Sequence, residues 1–170
     1  MSRLIIGALI ASSLAGCASM TPEQCQSANW HDVGYQDGKE GNDPSIVNDY
    51  AKDCLEANVV VNQPQWQQGF KQGTEVYCSA DNGYKVGSEG RTYYNVCHDE
   101  QFLKNYQLGK KEYQRQQKLM SLDSQIAELD SQMEATSDTK KYNKLRNRRK
   151  DLAHERSQLL NPDISINLKF

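Results

Sequence analysis

Few residues in this sequence have the types and spacing needed for chemistry, and they fall into three groups. The first is thiols: beyond Cys17 stand Cys25, Cys54, Cys78 and Cys97, separated by 29, 24 and 19 positions. No pair forms C-x-x-C and no gap matches a common zinc spacing, so no metal site is expected. In an oxidising compartment an even set of thiols reads as two disulfides. Three pairings are open. The favoured one joins Cys25 to Cys54 and Cys78 to Cys97, because each bond then closes a local segment with its own turn signals, for about 3 kcal/mol apiece. The second group is His31, His98 and His154, in three different segments. His31-Asp32 with Asp37 would make an acid–base set, and Cys97-His98 a thiol beside an imidazole. Neither comes with a G-x-S-x-G elbow or an H-E-x-x-H helix, and Asp37-Gly38 reads more simply as the end or kink of a helix. No catalytic residue is assigned and no enzyme is expected. The third group is a run of seven bases: Lys140, Lys141, Lys144, Arg146, Arg148, Arg149 and Lys150.

The scaffold that must position these groups is poor in apolar residues. Leu, Ile, Val and Phe make up 32 of 170 residues, six of them in the first 14 positions, and mean hydropathy is -0.82. Such a chain borders on disorder unless something besides core burial holds it. Nine tyrosines, two tryptophans and the cysteines supply that hold. A formal net charge of -2 argues against a nucleic-acid partner.

Residues 1–16 read as a secretory signal: Arg3, an apolar stretch from Leu4 to Ala11, then small residues, too short to span a bilayer. Leu14-Ala15-Gly16-Cys17 resembles the bacterial lipobox. That resemblance implies that Cys17 is acylated and becomes the first mature residue, a covalent lipid being the sole non-protein group expected. With Ala18-Ser19 after it and no Asp at the sorting position, the expected address is the outer membrane, facing the periplasm. Residues 17–28 are then a lipidated N-terminus and tether.

Residues 29–117 are expected to form a disulfide-stapled helical head. Trp30, Val33, Gly34, Asp37, Gly38 and Gly41 follow helical spacing, as do Trp66, Gly69, Phe70, Gly73, Val76 and Tyr77. Gly stands on the inward stripe where Leu would be ordinary. Each such Gly costs about 1 kcal/mol of helix propensity, which points to close backbone approach with aromatic rings filling the flanks. Pro64 suits a first helical turn; Ile46 to Leu55 and Glu100 to Gln117 read as further helices, and Asp81-Asn82-Gly83 as a turn. The ordered set Asn29-Trp30, Gly34-Tyr35-Gln36-Asp37-Gly38, Tyr77-Cys78, Asn82-Gly83-Tyr84, Gly87, Gly90, Tyr94-x2-Cys97, Phe102-Leu103 and Tyr106-x2-Gly109 resembles the lipoprotein family catalogued as domain of unknown function 2799. The resemblance spans about residues 25–113. It implies a bacterial envelope lipoprotein and carries no reaction with it.

Residues 118–161 read as an antiparallel coiled-coil hairpin. Leu119, Leu122, Ile126, Leu129 and Met133 form one heptad seam, Ser137-Asp138-Thr139 caps a second helix, and Tyr142, Leu145, Leu152 and Leu159 resume the seam until Asn161-Pro162. Arg149 and Arg156 interrupt it. Self-association of these helices is the competing arrangement. Reflection about the turn places Glu134 near Lys141, Asp130 near Lys144, Glu128 near Arg148, and Leu129 opposite Leu145. The surplus charge, with Lys144, Arg148 and Lys150 outermost, offers contact to anionic lipid headgroups or cell-wall carboxylates. Residues 162–170 alternate apolar and polar up to Phe170 and read as a short strand-like tail. The whole is thus a mainly α protein. Its expected role is a structural or interaction module of the envelope, with the outer membrane as anchor and an envelope protein or peptidoglycan as partner. The alternative is a hydrolase or peptidoglycan-modifying enzyme using the head as a cleft.

Overall fold

The computed structural model describes residues 19–161, so the signal, Cys17 and the tail at 162–170 lie outside the described residues. Seven helices and no strand occur among the described residues: α1 (Pro22–Ser27), α2 (Trp30–Glu40), α3 (Ile46–Glu56), α4 (Gln63–Tyr77), α5 (Ala80–Ser88), α6 (Glu100–Glu134) and α7 (Thr139–Leu160). Their starts follow local chemistry. Thr21 and Gln24 form a reciprocal capping box on α1, and Asn29, Asp99 and Asp138 accept hydrogen bonds from backbone N–H groups one turn into α2, α6 and α7. The chain divides into two compact units, one ending at Tyr77 and one beginning at Cys78.

The first unit is built on the pair α2/α4. A Cβ at Gly34 would overlap the carbonyl oxygen of Trp66, and one at Gly38 that of Phe70; from the other side, Gly69 lies on the carbonyl of His31 and Gly73 on that of Tyr35. The two backbones touch with no side chain between them. The rings that the sequence sets beside the glycines close the flanks, and Trp30, Trp66 and Tyr77 are all buried. At the end of α2, Gly41 has φ +72° and lies flat against the Tyr77 ring. A side chain there would be strained by its backbone and blocked by the ring.

The second unit repeats this pair. In α5/α6, Gly83 meets the Phe102 carbonyl as Gly34 meets Trp66, Gly87 meets Tyr106 as Gly38 meets Phe70, and Gly109 meets Tyr84 and Ser88 as Gly73 meets Tyr35 and Lys39. Gly90, with φ +67°, lies on Tyr113 as Gly41 lies on Tyr77. Only one contact changes its chemistry. Where Gly69 rests on the His31 carbonyl, Asn105 instead donates from Nδ2 to the Ala80 carbonyl at 2.8 Å. Each unit also carries one disulfide, Cys25–Cys54 and Cys78–Cys97, with Cα atoms 5.5 and 5.4 Å apart. Both tie the chain ahead of the first helix to the segment between the two helices.

Three expectations change. Asp81-Asn82-Gly83 is no turn: it lies in the first half of α5, because Gly83 is needed against α6 and the break falls at Cys78-Ser79. The helix expected over Glu100 to Gln117 does not end there, since α6 runs unbroken for 35 residues, Glu100–Glu134. Its first half packs on α5 and its second half on α7. The segment 17–28 is not a plain tether either, for it contains α1 and Cys25 is 2% exposed.

Gly38→Ala and Gly87→Ala follow as tests of the helix pairs. On propensity alone each would gain about 1 kcal/mol; overlap with the facing backbone reverses the sign, for a net loss of about 2 kcal/mol or more. Denaturant unfolding of the oxidised protein measures it, and a gain in stability would show that the backbones are not in contact.

Candidate functional site

The residues singled out for catalysis are occupied elsewhere. The Cys97 sulfur is bonded to Cys78, so it forms no thiol pair with His98. His31 Nδ1 lies 3.5 Å from Asp32 Oδ1 at the exposed start of α2, and Asp32 also accepts from the Asn29 amide at 2.8 Å. Asp37, read as a helix terminator, is instead a buried hub at 5% exposure. Trp66 Nε1 donates to its Oδ2 at 2.8 Å, while Tyr50 Oη and Asn42 Nδ2 each donate to its Oδ1 at 3.0 Å. Burial, with the Asp37 charge adding to it, pushes the Tyr50 hydroxyl well above its ordinary range, so it stays a donor. One carboxylate thereby ties α2, α4, α3 and the turn after Gly41. Helix α2 ends three residues later, at Glu40. The sequence cue for this hub was periodic: Asp37 shares a stripe with Trp30, Val33, Gly34 and Gly38.

The second unit has a different feature at the corresponding end of its helix pair. A cleft of about 390 Å³ is lined by Tyr93, Tyr106 and Tyr113, with Arg91, Lys110, Thr92 and Gln114 around them and Gly87 and Gly90 at its base. The rings are fixed. Tyr93 donates its hydroxyl to the Cys97 carbonyl and accepts from the Cys97 N–H, both at 3.0 Å, so the disulfide segment holds it. Tyr93 and Tyr106 have ring centroids 5.0 Å apart, and the Lys110 ammonium stands 5.9 Å from the Tyr106 centroid.

The family model described as "Protein of unknown function (DUF2799)" matches residues 29–111. That segment belongs to this family. Its bounds run from the N-cap of α2 to the part of α6 that packs on α5, so the DUF2799 unit is the pair of glycine-faced helix pairs together. No curated protein and no solved structure matches the chain.

Outside the DUF2799 segment, two arrangements bear on function. On the N-terminal side, Asp53 of α3 clasps the chain: its Oδ2 accepts from the Ser19 N–H and Oγ, both at 2.6 Å, and from the Met20 N–H at 3.3 Å. These hydrogen bonds hold the Asp53 carboxyl below its ordinary range. Ser19 is the first described residue. Two peptide steps separate it from Cys17, at most about 7 Å of chain.

On the C-terminal side, the α6/α7 hairpin is closed by ions as much as by its seam. Leu119, Leu122 and Leu129 are buried, while α7 has no buried residue. Arg149 forks onto Asp130 and Arg156 pairs with Asp123, a ladder repeating once per heptad, with Lys118 on Glu155 beyond it. The two arginines read as flaws in the seam are thus its electrostatic partners. Asp130 takes Arg149 where reflection about the turn places Lys144. Side chains lean toward the N-terminus of their own helix, so in an antiparallel pair the α7 partner lies farther from the turn than a mirror image predicts. Leu129 accordingly shares a groove with Leu152 and Arg148. At the base of the hairpin, Arg115 and Gln116 donate to Glu112 and hold its carboxyl down at about 2, and Arg115 reaches the Leu159 carbonyl at 3.1 Å. Lys140, Lys141, Lys144, Arg146, Arg148 and Lys150 are exposed.

Two measurements probe these arrangements. Asp37→Ala leaves the buried Trp66 and Tyr50 donors without their acceptor and is expected to cost about 3 kcal/mol; a loss under about 0.5 kcal/mol would remove the hub. For the clasp, the folded Asp53 carboxyl lies below its ordinary 3.8. Its contribution is therefore complete at pH above that value and disappears as acid carries the pH through the lower, folded value. The Ser19 and Met20 amide resonances are expected to titrate with a midpoint below 3.8, and to lose that response in Asp53→Ala.

Proposed function

We propose that the chain is a lipid-anchored lipoprotein of the outer membrane, facing the periplasm and acting by binding rather than by catalysis. The observation that carries this is the junction between signal and fold. A lipobox-like Leu14-Ala15-Gly16-Cys17 is followed, two positions on, by the Asp53 clasp on Ser19, so acyl chains on Cys17 would hold the folded body close to the bilayer surface. At about 0.8 kcal/mol per buried methylene, two or three chains anchor it lastingly. Oxidised cysteines suit the same compartment.

A binding role is supported by how the reactive groups are used. The four body cysteines are in disulfides, Asp37 is saturated by three donors, and the tyrosine cleft is lined by rings, cations, a hydroxyl and an amide. An envelope hydrolase would need an acid and a base facing one cleft. The exposed face of α7, with Lys144, Arg148 and Lys150, is assigned to an anionic envelope partner. The hairpin spends Arg149 and Arg156 on its own closure and leaves these three outside that ladder.

Cys17→Ala is expected to leave an uncleaved precursor without incorporated palmitate and to release the protein from outer-membrane fractions; unchanged partitioning with palmitate still incorporated would refute the anchor. Changing Lys144, Arg148 and Lys150 together to Glu tests the second part. Helicity is expected to stay, because the ion ladder is untouched, while retention falls on anionic vesicles or on isolated cell wall and falls further with salt. Retention equal to wild type on both materials would take the partner away from this face.

A further inference from the structure

We propose that an apolar face at the end of α3 rests against the lipid surface to which Cys17 is anchored, so that the first unit meets the membrane on a fixed side. The proposal rests on the lipid-anchor reading above. A chain with few aliphatic residues leaves two of them in solvent around one hollow: Leu55 is 66% exposed and Val60 83%. Ala51, Val59, Gln63 and Pro64 line the same hollow, of about 380 Å³. No charged side chain lines it, whereas the tyrosine cleft has Lys110 and the hairpin groove Glu128 and Arg148.

A turn at the end of α3 builds this face. Asn58 takes φ +56°, its N–H donates to the Leu55 carbonyl at 3.0 Å, and the Val59 N–H donates to the Cys54 carbonyl at 2.9 Å. The chain is thereby folded back across the last turn of the helix. The three valines that follow alternate, with Val59 half-buried, Val60 outward and Val61 buried. Packing accounts for Val59 and Val61, which join the core of the first unit. It does not account for Leu55 and Val60.

What covers the face is indicated by where the chain leaves the fold. Asp53, two residues before Leu55 in the same turn of α3, accepts from the Ser19 N–H at 2.6 Å. Helix geometry sets the Cα atoms of Asp53 and Leu55 about 5.5 Å apart. With two peptide steps from Ser19 to Cys17, the lipidated residue stands within about 20 Å of Leu55, whichever way those steps run. Acyl chains and uncharged face are thus brought to one end of the unit. An anchor alone leaves the body free to turn about its tether. An apolar face within reach of the interface removes that freedom by burying aliphatic surface at the boundary of headgroups and acyl chains. Of the charges between residues 52 and 56, Asp53 is clasped to Ser19 and Met20, and the exposed Lys52 and Glu56 are of opposite sign.

The test uses the mature chain from Cys17 onward, purified from membranes with its lipid, oxidised and methyl-labelled at Val and Leu. It is placed in nanodiscs of phosphatidylcholine, whose zero net charge gives the bases of α7 no anionic surface to bind. With nitroxide-bearing acyl chains in the disc, the methyl signals of Leu55, Val59 and Val60 are expected to lose most of their intensity. Val76, exposed near the far end of α4, should keep its own. Leu55→Gln with Val60→Gln, both at exposed positions, should restore the Val59 signal and leave the core signals of Val33 and Val47 in place. Undiminished signals at Leu55 and Val60, equal loss at Val76, or a Val59 signal still quenched in the double variant would each overturn the assignment. So would signals that stay sharp in the disc and move with protein concentration in detergent, which would give the face to a second copy of the chain. The mass of the purified chain reads the acylation of Cys17 by itself. A chain found unacylated is coupled through its Cys17 thiol to a maleimide lipid and the same signals are read, so the anchor and the face fail independently.

Discussion

Two helices approach only as closely as the atoms on their facing sides allow, and in this protein the facing atoms are those of the backbone itself. Gly34, Gly38, Gly69 and Gly73 in one pair, and Gly83, Gly87 and Gly109 in the other, bring carbonyl oxygens into the space a Cβ would take. Helices separated by ordinary side chains stand about 8–10 Å apart. Closer approach removes the need for a layer of Leu and Ile, which this sequence does not have. It also converts each Gly from a liability of about 1 kcal/mol in propensity into a packing requirement. The rings of Trp30, Trp66, Phe102 and Tyr106 then seal the sides of contacts too thin to have a core of their own.

The disulfides and the buried carboxylate follow from that geometry. A thin pair leaves the connecting segments little apolar surface to dock on, and each disulfide fixes one of them to the chain ahead of the pair. In the first unit, Asp37 adds three hydrogen bonds that lock α3 and the turn over the end of the pair. Burying a carboxylate is favourable only when its acceptors are filled; here each partner comes from a different segment. The second unit has Val86 at that place and an open cleft nearby. One scaffold therefore serves two purposes, a closed end that stabilises and an open end that faces solvent.

Length is used differently in α6. Its first half belongs to the glycine-faced pair and its second half to a hairpin whose α7 buries no residue. With half-exposed seams on one side, charge carries the register: Asp123 and Asp130 against Arg156 and Arg149, one rung per heptad. Single exposed pairs contribute less than about 1 kcal/mol. A repeating ladder still separates the correct alignment from its slipped neighbours, which would set like charges together. The bases not engaged in the ladder remain available on the surface.

The sequence by itself determined what depends on local spacing. Helical stripes placed α2, α3, α4 and α6, the capping residues Ser137-Asp138-Thr139 marked the start of α7, and the Gly and aromatic pattern carried both the mode of packing and the family. What it left open is non-local. Three cysteine pairings satisfy the same arithmetic, and the fold decides between them by which Cα atoms come within 5.5 Å. Asp37-Gly38 looks like a helix end until Trp66, 29 residues away, is found donating to it. Asp81-Asn82-Gly83 looks like a turn until Gly83 is needed against Phe102. Arg149 and Arg156 look like faults in a seam until the lean of side chains on two antiparallel helices brings them to Asp130 and Asp123. The repetition of one helix pair in two units was also hidden, because Asn105 replaces a glycine and the connections differ in length. Only the matching set of backbone contacts reveals it. A residue's periodicity reports the element it belongs to; its partner is set by where the other elements go.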